Sequence, residues 1–354
     1  KGVQMQNLKR LKNRLPEDQL QDVKSLDNNQ MAENFRQLFA HPSKNGRLVV
    51  ADFSSVESRG LAYLAGAEWK LQAFRDGKDM YKVQASSIYS KPYEDISKDE
   101  RGTGKIGELS CGYGAGPIAV KDFAEKMGVD FSEQEATELV YSWRDTNPEI
   151  VQFWKELDRI LHEVMNGAAR AVAHFPHATV VVQQVNTPES IKAINPLAQS
   201  ITVELFIKSP YGLSVPVLTR VFQGAYLDGR KIVYYKPQSA KTKKELWKDE
   251  YKNPKTKKMT QYSVYGGKLA GIITQSFCRE IFMRTMLHAE MCVTDDPNLR
   301  DRARIIGQFH DELVFEIDPE VYERFTEQQV EQKLKGFILD PASPQLLIIP
   351  GFPL

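Results

Sequence analysis

Short apolar runs that stop at acidic residues are the feature that most constrains this sequence. Residues 48 to 51 (Leu-Val-Val-Ala) form such a run, and it ends at Asp52. A short continuous apolar run predicts a buried strand, so Asp52 is expected where a strand ends. Two further strand-like runs, 305–309 and 313–317, flank His310-Asp311-Glu312. They predict a hairpin with acidic residues at its tip.

Two aspartates at the ends of strands that are far apart in sequence suit a two-metal site. Carboxylate oxygens are ligands that Mg²⁺ prefers, and rigid strands can hold two ions roughly 3.5 to 4 Å apart, as in-line phosphoryl displacement needs. The alternative is that Asp52 and Asp311 are ordinary turn carboxylates. The residues around each aspartate therefore have to decide between the two interpretations.

Composition predicts a globular protein whose cysteines are reduced thiols. The 354 residues are 42% apolar and 26% charged, which allows several packed units. A net charge of +1 leaves any nucleic-acid partner to be met by local basic patches. The three cysteines lack CxxC spacing, which argues against a disulfide framework or a zinc site. No apolar stretch approaches the roughly 18 residues of a membrane span, so we expect a cytoplasmic protein with no membrane association.

The periodicity of apolar residues divides the chain into helical and strand-rich regions. The span from about residue 68 to 167 is mainly helical in pattern, and residues 168–236 shift towards strands. A lysine-rich segment, 238–258, is typical of a solvated loop. The more specific expectations are helices over 132–143, 149–165 and, after Gly266-Gly267, 268–292, with strands over 178–183 and 232–235 and a hairpin turn at 227–230.

Arg101, Lys105, Leu109 and Tyr113 are spaced by four residues. On a helix they form one stripe that drifts about 40° per step and extends roughly 18 Å. Cations at one end and an aromatic ring at the other suit a nucleoside triphosphate. The alternative is an ordinary amphipathic helix with a solvated basic end, and the glycines within this segment disfavour a helix. The segment lacks GxxxxGK[ST], which counts against an NTPase P-loop.

Three segments in order along the chain resemble motifs A, B and C of the family A DNA polymerases, which are similar to bacterial DNA polymerase I. They are residues 52–59 (Asp-Phe-Ser-Ser-Val-Glu-Ser-Arg), the Arg101 to Tyr113 stripe with Gly114, and His310-Asp311-Glu312. The resemblance extends to Gln6-Asn7, Gly229-Arg230, Gly266-Gly267-Lys268 and Gln275, and so covers nearly the whole chain. Gly104-Lys105, Leu109 and Gly112-Tyr113-Gly114 look more like the phage-encoded branch.

The resemblance implies an α+β, right-hand polymerase fold with an antiparallel-sheet palm and a mainly helical fingers subdomain. The expected palm is residues 1–60 and 226–354, and the expected fingers are residues 61–225 with inserted strands. About fifty residues precede Asp52, whereas a domain usually needs about 50 to 200. The chain is therefore expected to lack the thumb and proofreading exonuclease domains of the family and to grip duplex DNA weakly.

The resemblance also assigns the chemistry to particular residues. It implies that Asp52 and Asp311 hold two Mg²⁺ ions, with Mn²⁺ as an alternative and Glu312 as a weaker ligand. Arg101 and Lys105 are expected to bind the triphosphate, and Lys105 to protonate the departing pyrophosphate. Leu109 and Tyr113 are expected to lie near the sugar, and His310 near the primer terminus.

Glu57 has two compatible interpretations. Ser54-x-x-Glu57 reads as a capping box, in which serine and glutamate cap the same helix start. In the family the equivalent glutamate blocks the ribose 2′-hydroxyl, and a clash with the unwanted substrate is an efficient source of discrimination. The remaining candidates are DNA contacts: Gln6, Asn7 and Gln275 suit minor-groove acceptors, and Arg59 is expected either to pair with acids at the site or to contact substrate.

The implied reaction is transfer of a nucleotide from a deoxynucleoside triphosphate to a primer 3′-hydroxyl, with release of pyrophosphate. The implied partners are primer-template DNA and deoxynucleotides, with unidentified replisome proteins, in a bacterial or phage-infected cell. Three alternatives stay open. A single-subunit RNA polymerase shares the aspartates and the basic helix, although Glu57 argues against it. A two-metal nuclease or phosphatase would leave the basic stripe unexplained, and a non-catalytic nucleic-acid-binding replisome component would not need both aspartates.

Overall fold

The computed structural model describes residues 45–193, 195–208, 214–229, 231–234, 262–309, 311–339 and 352–353. Within them the strands are β1 (Arg47–Asp52), β2 (Arg170–His174), β3 (Ala178–Val185), β4 (Gln199–Lys208), β5 (Ser214–Asp228), β6 (Lys231–Tyr234), β7 (Tyr262–Val264), β8 (Ala303–Phe309) and β9 (Glu312–Ile317). The helices are α1 (Val56–Ala65), α2 (Glu68–Arg75), α3 (Met80–Tyr89), α4 (Lys98–Cys111), α5 (Pro117–Lys126), α6 (Glu133–Thr146), α7 (Pro148–Met165), α8 (Glu189–Lys192), α9 (Gly266–Asp295), α10 (Pro319–Tyr322) and α11 (Glu327–Ile338).

The described residues form two compact units, and α9 contributes to both. The smaller unit contains the described residues up to Ser54 and those from Ile281 to Leu339, and the larger unit contains Ser55 to Glu280 with Phe352 and Pro353. The assignment of palm and fingers to particular residue ranges stays a prediction.

A three-stranded antiparallel sheet in the order β1-β9-β8 organises the smaller unit. The central strand β9 is buried from Leu313 to Ile317. Strand β1 ends at Asp52 as predicted, but the prediction that it is buried was wrong. It lies at an edge of the described sheet, and the Val50 side chain is 55% exposed. An apolar run alone does not distinguish an edge strand from a central one.

Helices with clear start signals form much of the larger unit. Ser97 and Ser132 begin α4 and α6 with capping boxes: each serine hydroxyl accepts from the backbone N–H of Glu100 or Glu135, and each glutamate carboxylate accepts from the serine backbone N–H. Helix α7 buries an apolar stripe that includes Phe153, and its ring meets that of Phe175 edge to face at 4.5 Å between centroids. The predicted helices over 132–143, 149–165 and 268–292 are thereby confirmed to within a few residues.

A six-stranded antiparallel sheet, ordered β2-β3-β4-β5-β6-β7, also belongs to the larger unit. The predicted hairpin is confirmed, because Asp228 pairs with Lys231. Gly229 takes a φ of 60°, a left-handed conformation that glycine adopts without steric cost. Arg230 and the lysine-rich segment 238–258 lie outside the described residues.

The separate antiparallel sheets and helical layers confirm the predicted α+β class. In the part of the chain that the structure describes, no helix is both long and apolar enough to cross a bilayer.

Candidate active site

Three carboxylates lie at one end of the sheet in the smaller unit. Asp52 is the last residue of β1 and stands opposite Glu312, the first residue of β9. Directly opposite residues of an antiparallel pair project from the same face of the sheet. Asp311 precedes β9, and its backbone carbonyl accepts a 3.0 Å hydrogen bond from the backbone N–H of Phe53. The fold thus brings together residues separated by more than 250 positions in sequence.

These oxygen donors fit a hard divalent cation. Asp52 is exposed, and Asp311 and Glu312 are partly exposed, so solvent reaches all three residues. Oxygen ligands of this kind suit Mg²⁺ better than softer metals. Among the described residues, no group of three or more histidine, cysteine or acidic side chains converges as a metal site. The metal assignment to Asp52 and Asp311, with Glu312 as a weaker ligand, stays a prediction.

The basic end of the predicted stripe lies on α4, in the larger unit. The Arg101 guanidinium lies 5.1 Å from the centroid of the Tyr81 ring, and the Lys105 ammonium lies 5.9 Å from the same centroid. Asp79 accepts from Arg101 Nε through Oδ2 at 2.6 Å, and its Oδ1 accepts from the Tyr81 N–H at 2.9 Å as the N-cap of α3. One carboxylate therefore caps a helix and orients a cation of the stripe.

The prediction that all four stripe residues share one helix was wrong. Helix α4 ends at Cys111, so it carries Arg101, Lys105 and the 45% exposed Leu109, whereas Tyr113 lies in the turn that follows. The Trp154 indole N–H donates to the Gly112 carbonyl at 3.0 Å and thus holds this turn.

Tyr113, Glu57 and Gln275 form a hydrogen-bonded group. The Tyr113 hydroxyl donates to Glu57 Oε2 at 2.9 Å, and the Gln275 amide donates to Glu57 Oε1 at 3.4 Å. Burial and the negative charge of Glu57 raise the pKa of Tyr113 above its ordinary value, so its hydroxyl remains a donor throughout the working range of pH. The structure thus joins a residue from motif A, one from motif B and one from α9.

Two glycines of α9 form the surface against which Tyr113 packs. A Cβ on Gly271 would lie 3.3 to 3.7 Å from the Tyr113 ring, and a Cβ on Gly267 would lie 2.4 Å from the Tyr113 carbonyl oxygen. The second distance is shorter than any real contact of this kind. Gly267 is therefore required for the close approach of the Tyr113 turn to α9.

The predicted capping box of Ser54 and Glu57 was wrong. Helix α1 begins at Val56, and its N-cap is Ser55 in a left-handed conformation without a side-chain capping bond. Because the helix begins one residue later than expected, Glu57 occupies its second position. Its carboxylate is engaged by Tyr113 and Gln275.

Arg59 makes contacts that the sequence did not predict. Its guanidinium lies 4.5 Å from the centroid of the Phe74 ring and donates to the Pro353 carbonyl at 3.3 Å. A contact between Arg59 and DNA stays a prediction. Gln6, Asn7 and His310 lie outside the described residues.

Asp79 and Tyr81 were missed by the sequence analysis. A usable signal was present, since an aspartate directly before an apolar-periodic segment is a helix N-cap signature. Buried Lys70 and Glu108 were missed as well, and no signal in the sequence distinguishes them from solvated surface residues.

A family model for DNA polymerase family A matches residues 9–206, which is more than half of the chain. The chain therefore belongs to DNA polymerase family A.

Among individual proteins, the chain is 27% identical over 254 residues to a DNA polymerase of Bacillus phage SP02, an alignment that covers 70% of this chain and 33% of the phage protein. It is 33% identical over 101 residues to DNA polymerase I of Pseudomonas aeruginosa, covering 28% of this chain and 11% of that protein. It is 35% identical over 92 residues to DNA polymerase I of Aquifex aeolicus, covering 26% and 16% respectively.

A solved structure, the POL domain of Pol1 from M. smegmatis in complex with DNA primer-template and dNTP, matches with a TM-score of 0.48 and 14% identity. That match covers 91% of this chain and 41% of the solved chain. The chain thus spans a third or less of the length of the curated relatives named above.

Proposed function

We propose that this chain carries the polymerising centre of a family A DNA polymerase. The reaction would transfer a nucleotide from a deoxynucleoside triphosphate to a primer 3′-hydroxyl and release pyrophosphate. The observation that carries the proposal is the position of Asp52, Asp311 and Glu312 at the same end of the β1-β9-β8 sheet, in a chain that belongs to this family. Motif residues from the two ends of the described chain meet there.

In this proposal Asp52 and Asp311 hold two Mg²⁺ ions, or Mn²⁺ as an alternative, with Glu312 as a weaker ligand. When bound, such ions lower the pKa of the attacking hydroxyl and neutralise charge on the leaving group. The exposure of Asp52 and the strand-end position of Glu312 support the assignment, since a substrate has to reach the ligands from solvent.

Arg101 and Lys105 are the proposed triphosphate-binding residues. Both lie against the face of Tyr81, and Asp79 holds Arg101 through Nε, the inner nitrogen of the guanidinium. This leaves the two outer nitrogens of Arg101 in a forked geometry suited to phosphate oxygens. Lys105 is the proposed donor of a proton to the leaving pyrophosphate.

Glu57 and Tyr113 are the proposed sugar-selecting residues, together with the exposed Leu109 on α4. The hydrogen bond between Tyr113 and Glu57 supports this assignment, because it fixes the direction of the Glu57 carboxylate. A fixed carboxylate excludes an added 2′-hydroxyl more effectively than a mobile one. Gln275 donates to the same carboxylate and is a proposed minor-groove contact, together with Gln6 and Asn7.

The proposed partners are primer-template DNA and deoxynucleotides, and the replisome proteins that would accompany them are not identified. The cysteines Cys111, Cys278 and Cys292 are thiols rather than disulfides, which supports the cytoplasm of a bacterial or phage-infected cell as the proposed compartment.

The test is extension of an end-labelled primer on a template with Mg²⁺ and deoxynucleotides. We expect extension by the chain and its loss in Asp311→Ala, whereas the exposed Glu323→Ala in the same unit should extend normally. Equal extension by Asp311→Ala would contradict the assignment. Preferred use of ribonucleotides would instead indicate an RNA polymerase, and shortening of the primer without extension would indicate a nuclease.

A further inference from the structure

A buried pair of opposite charges lies inside the larger unit. Lys70 on α2 is fully buried and Glu108 on α4 is 7% exposed. The Lys70 ammonium lies 2.6 Å from Glu108 Oε1 and 2.8 Å from Oε2. Removing two charges from water is costly, and apolar replacements of such pairs often leave the stability of a protein unchanged or higher. A contribution to fold stability is therefore a weak explanation for this pair.

Glu108 connects α4 to three other helices. The Ser58 hydroxyl on α1 donates to Oε1, and the Trp143 indole N–H on α6 donates to Oε2 at 3.3 Å. Lys70 on α2 also donates to Asn147 Oδ1 at 3.3 Å, at the junction of α6 and α7. The carboxylate is thus a shared acceptor for side chains from α1, α2 and α6.

Two of the joined residues are direct sequence neighbours of proposed sugar-selecting residues. Ser58 follows Glu57 on α1, and Glu108 precedes Leu109 on α4. Helices α1 and α4 are consequently linked through Ser58 and Glu108 inside the unit, and Glu57 is held by Tyr113 just beyond the end of α4. The internal link fixes α1 relative to the helix that carries Leu109.

The close approach of α4 to its other neighbour does not supply the same constraint. Gly104 meets the backbone of α3, where an added Cβ would lie 2.0 Å from the Tyr81 carbonyl oxygen. A glycine contact limits the distance between two helices without a directional bond. The directional bonds between α4 and α3, from Arg101 to Asp79 and from Tyr89 to Thr103, lie at the two ends of α3 on partly or fully exposed side chains. Among the described residues, the buried face of α4 is bonded to α1, α2 and α6 through Glu108.

We propose that Lys70 and Glu108 form a positioning pair that acts through Ser58 to set the distance between Glu57 and the α4 surface at Leu109, and thereby controls discrimination between deoxyribose and ribose. This inference rests on the proposed function and adds residues to it that contact no substrate. Lys70 neutralises the buried carboxylate, and the carboxylate holds Ser58.

The first test removes the link without disturbing the charge pair. Ser58→Ala should lower the ratio of kcat/KM for a deoxynucleotide to that for the matching ribonucleotide by about fivefold or more, since small displacements of positioned groups cost up to about a hundredfold. The loss should appear mainly as a lower KM for the ribonucleotide, with an unchanged unfolding temperature. Ser58→Thr, which keeps the hydroxyl, should restore the ratio.

Ser110→Ala is the matched control. Ser110 lies on α4, two residues after Glu108, but its hydroxyl donates to the Ile106 carbonyl of its own helix. This variant should leave the ratio unchanged. An equal fall in Ser58→Ala and Ser110→Ala would overturn the proposal, and so would a normal ratio in Ser58→Ala.

A second variant separates positioning from stability. Lys70→Met combined with Glu108→Gln removes both charges and keeps the volume, and its unfolding temperature should stay close to that of the unmodified chain. The sugar-discrimination ratio should nevertheless fall as in Ser58→Ala, because the neutral amide no longer holds the Ser58 hydroxyl with a charge-assisted bond. A lowered unfolding temperature with an unchanged ratio would assign the pair to stability alone and overturn the proposal.

Calorimetric titration of dATP and ATP, with a template and a 3′-dideoxy primer, separates this inference from the proposed function. If the chain does not extend primers but binds dATP more tightly than ATP, and Ser58→Ala loses that preference, the catalytic proposal fails and the positioning pair stands. If the chain extends primers, and both its binding preference and its kinetic ratio survive in Ser58→Ala, the catalytic proposal stands and the positioning pair is overturned. Binding of dATP and ATP without preference by the unmodified chain overturns the positioning pair.

Discussion

At the scale of single residues, the surroundings of a side chain decide what its type can do. Glu57 and Glu108 are both glutamates on helices of the larger unit. Glu57 is exposed and accepts from Tyr113 and Gln275, whereas Glu108 is buried and bound to Lys70. An exposed carboxylate is accessible to a substrate, whereas a buried one can act only through its neighbours.

Replacing Glu57 should relax the choice of sugar. We expect Glu57→Ala to raise the use of ribonucleotides relative to deoxynucleotides by about tenfold to a hundredfold, because the steric and charged barrier to a 2′-hydroxyl is gone. Competitive primer extension with both nucleotide types measures the ratio. Glu133→Ala on the exposed start of α6 is a suitable control, and a ratio unchanged in Glu57→Ala would refute the sugar-selecting role.

The three cysteines should differ sharply in reactivity. Burial raises the pKa of the Cys111 thiol to about 12, and buried Cys278 donates to the Val56 carbonyl at 3.2 Å. Cys292 is partly exposed, with its sulfur 3.4 Å from His288 Nε2. Because the thiolate is the reactive form and the raised pKa keeps Cys111 protonated at pH 8, a disulfide reagent at that pH should modify Cys292 first.

The measurement is the time course of thiol release from the folded chain. Cys292→Ser should remove the fast phase, and unfolding should expose all of the remaining thiols. A fast phase that survives in Cys292→Ser would show that a buried thiol is accessible.

At the scale of elements, α4 shows why helix propensity alone does not predict where a helix forms. Its glycines disfavour a helix in isolation, yet Gly104 and Gly107 are buried in the structure. Gly104 is where α4 meets the α3 backbone, and Gly102 has no atom within 4 Å of an added Cβ. The same residue type is a packing requirement at one position and an entropic cost two residues away.

This difference predicts opposite effects of one substitution on stability. Gly104→Ala should destabilise the chain by about 2 kcal/mol or more, because its Cβ would collide with backbone that cannot yield easily. Gly102→Ala should stabilise it by up to about 1 kcal/mol through helix propensity alone. Denaturant unfolding of both variants measures the two values, and similar values would contradict the packing account.

Local patterns were enough to predict most elements but not how they pair. The strand ending at Asp52, the hairpin of β8 and β9, and helices α6 and α7 follow from apolar periodicity and capping residues. The pairing of Asp52 with Glu312 depends on the register between distant strands, which periodicity does not contain. The burial of Lys70 could not be predicted for the same reason, since its partner Glu108 is 38 positions away in sequence.

At the scale of the whole molecule, residues of the three motifs are divided between the two units, and the division does not follow their order in the sequence. Asp52 belongs to the smaller unit, Glu57 and the residues of α4 belong to the larger unit, and Asp311 lies in the smaller unit again. The chain passes from one unit to the other after Ser54 and returns within α9. Because of these two crossings, Asp52 of motif A and Asp311 of motif C lie in the same unit, although motif B lies between them in sequence.

A ligand that binds the folded chain raises its free energy of unfolding, so nucleotide binding should be measurable as a rise in the unfolding midpoint. A deoxynucleotide with Mg²⁺ at about a hundred times its dissociation constant stabilises the folded state by about 2.7 kcal/mol, and we expect the unfolding midpoint to rise by roughly 4 °C. Asp52→Asn with Asp311→Asn should abolish the part of the rise that depends on Mg²⁺.

Arg101→Ala with Lys105→Ala should abolish the rise with or without the metal, because the triphosphate loses its cationic partners. Lys121→Ala with Lys126→Ala on α5 is a control of equal charge change, and a full rise in the Arg101 and Lys105 variant would show that the triphosphate binds elsewhere.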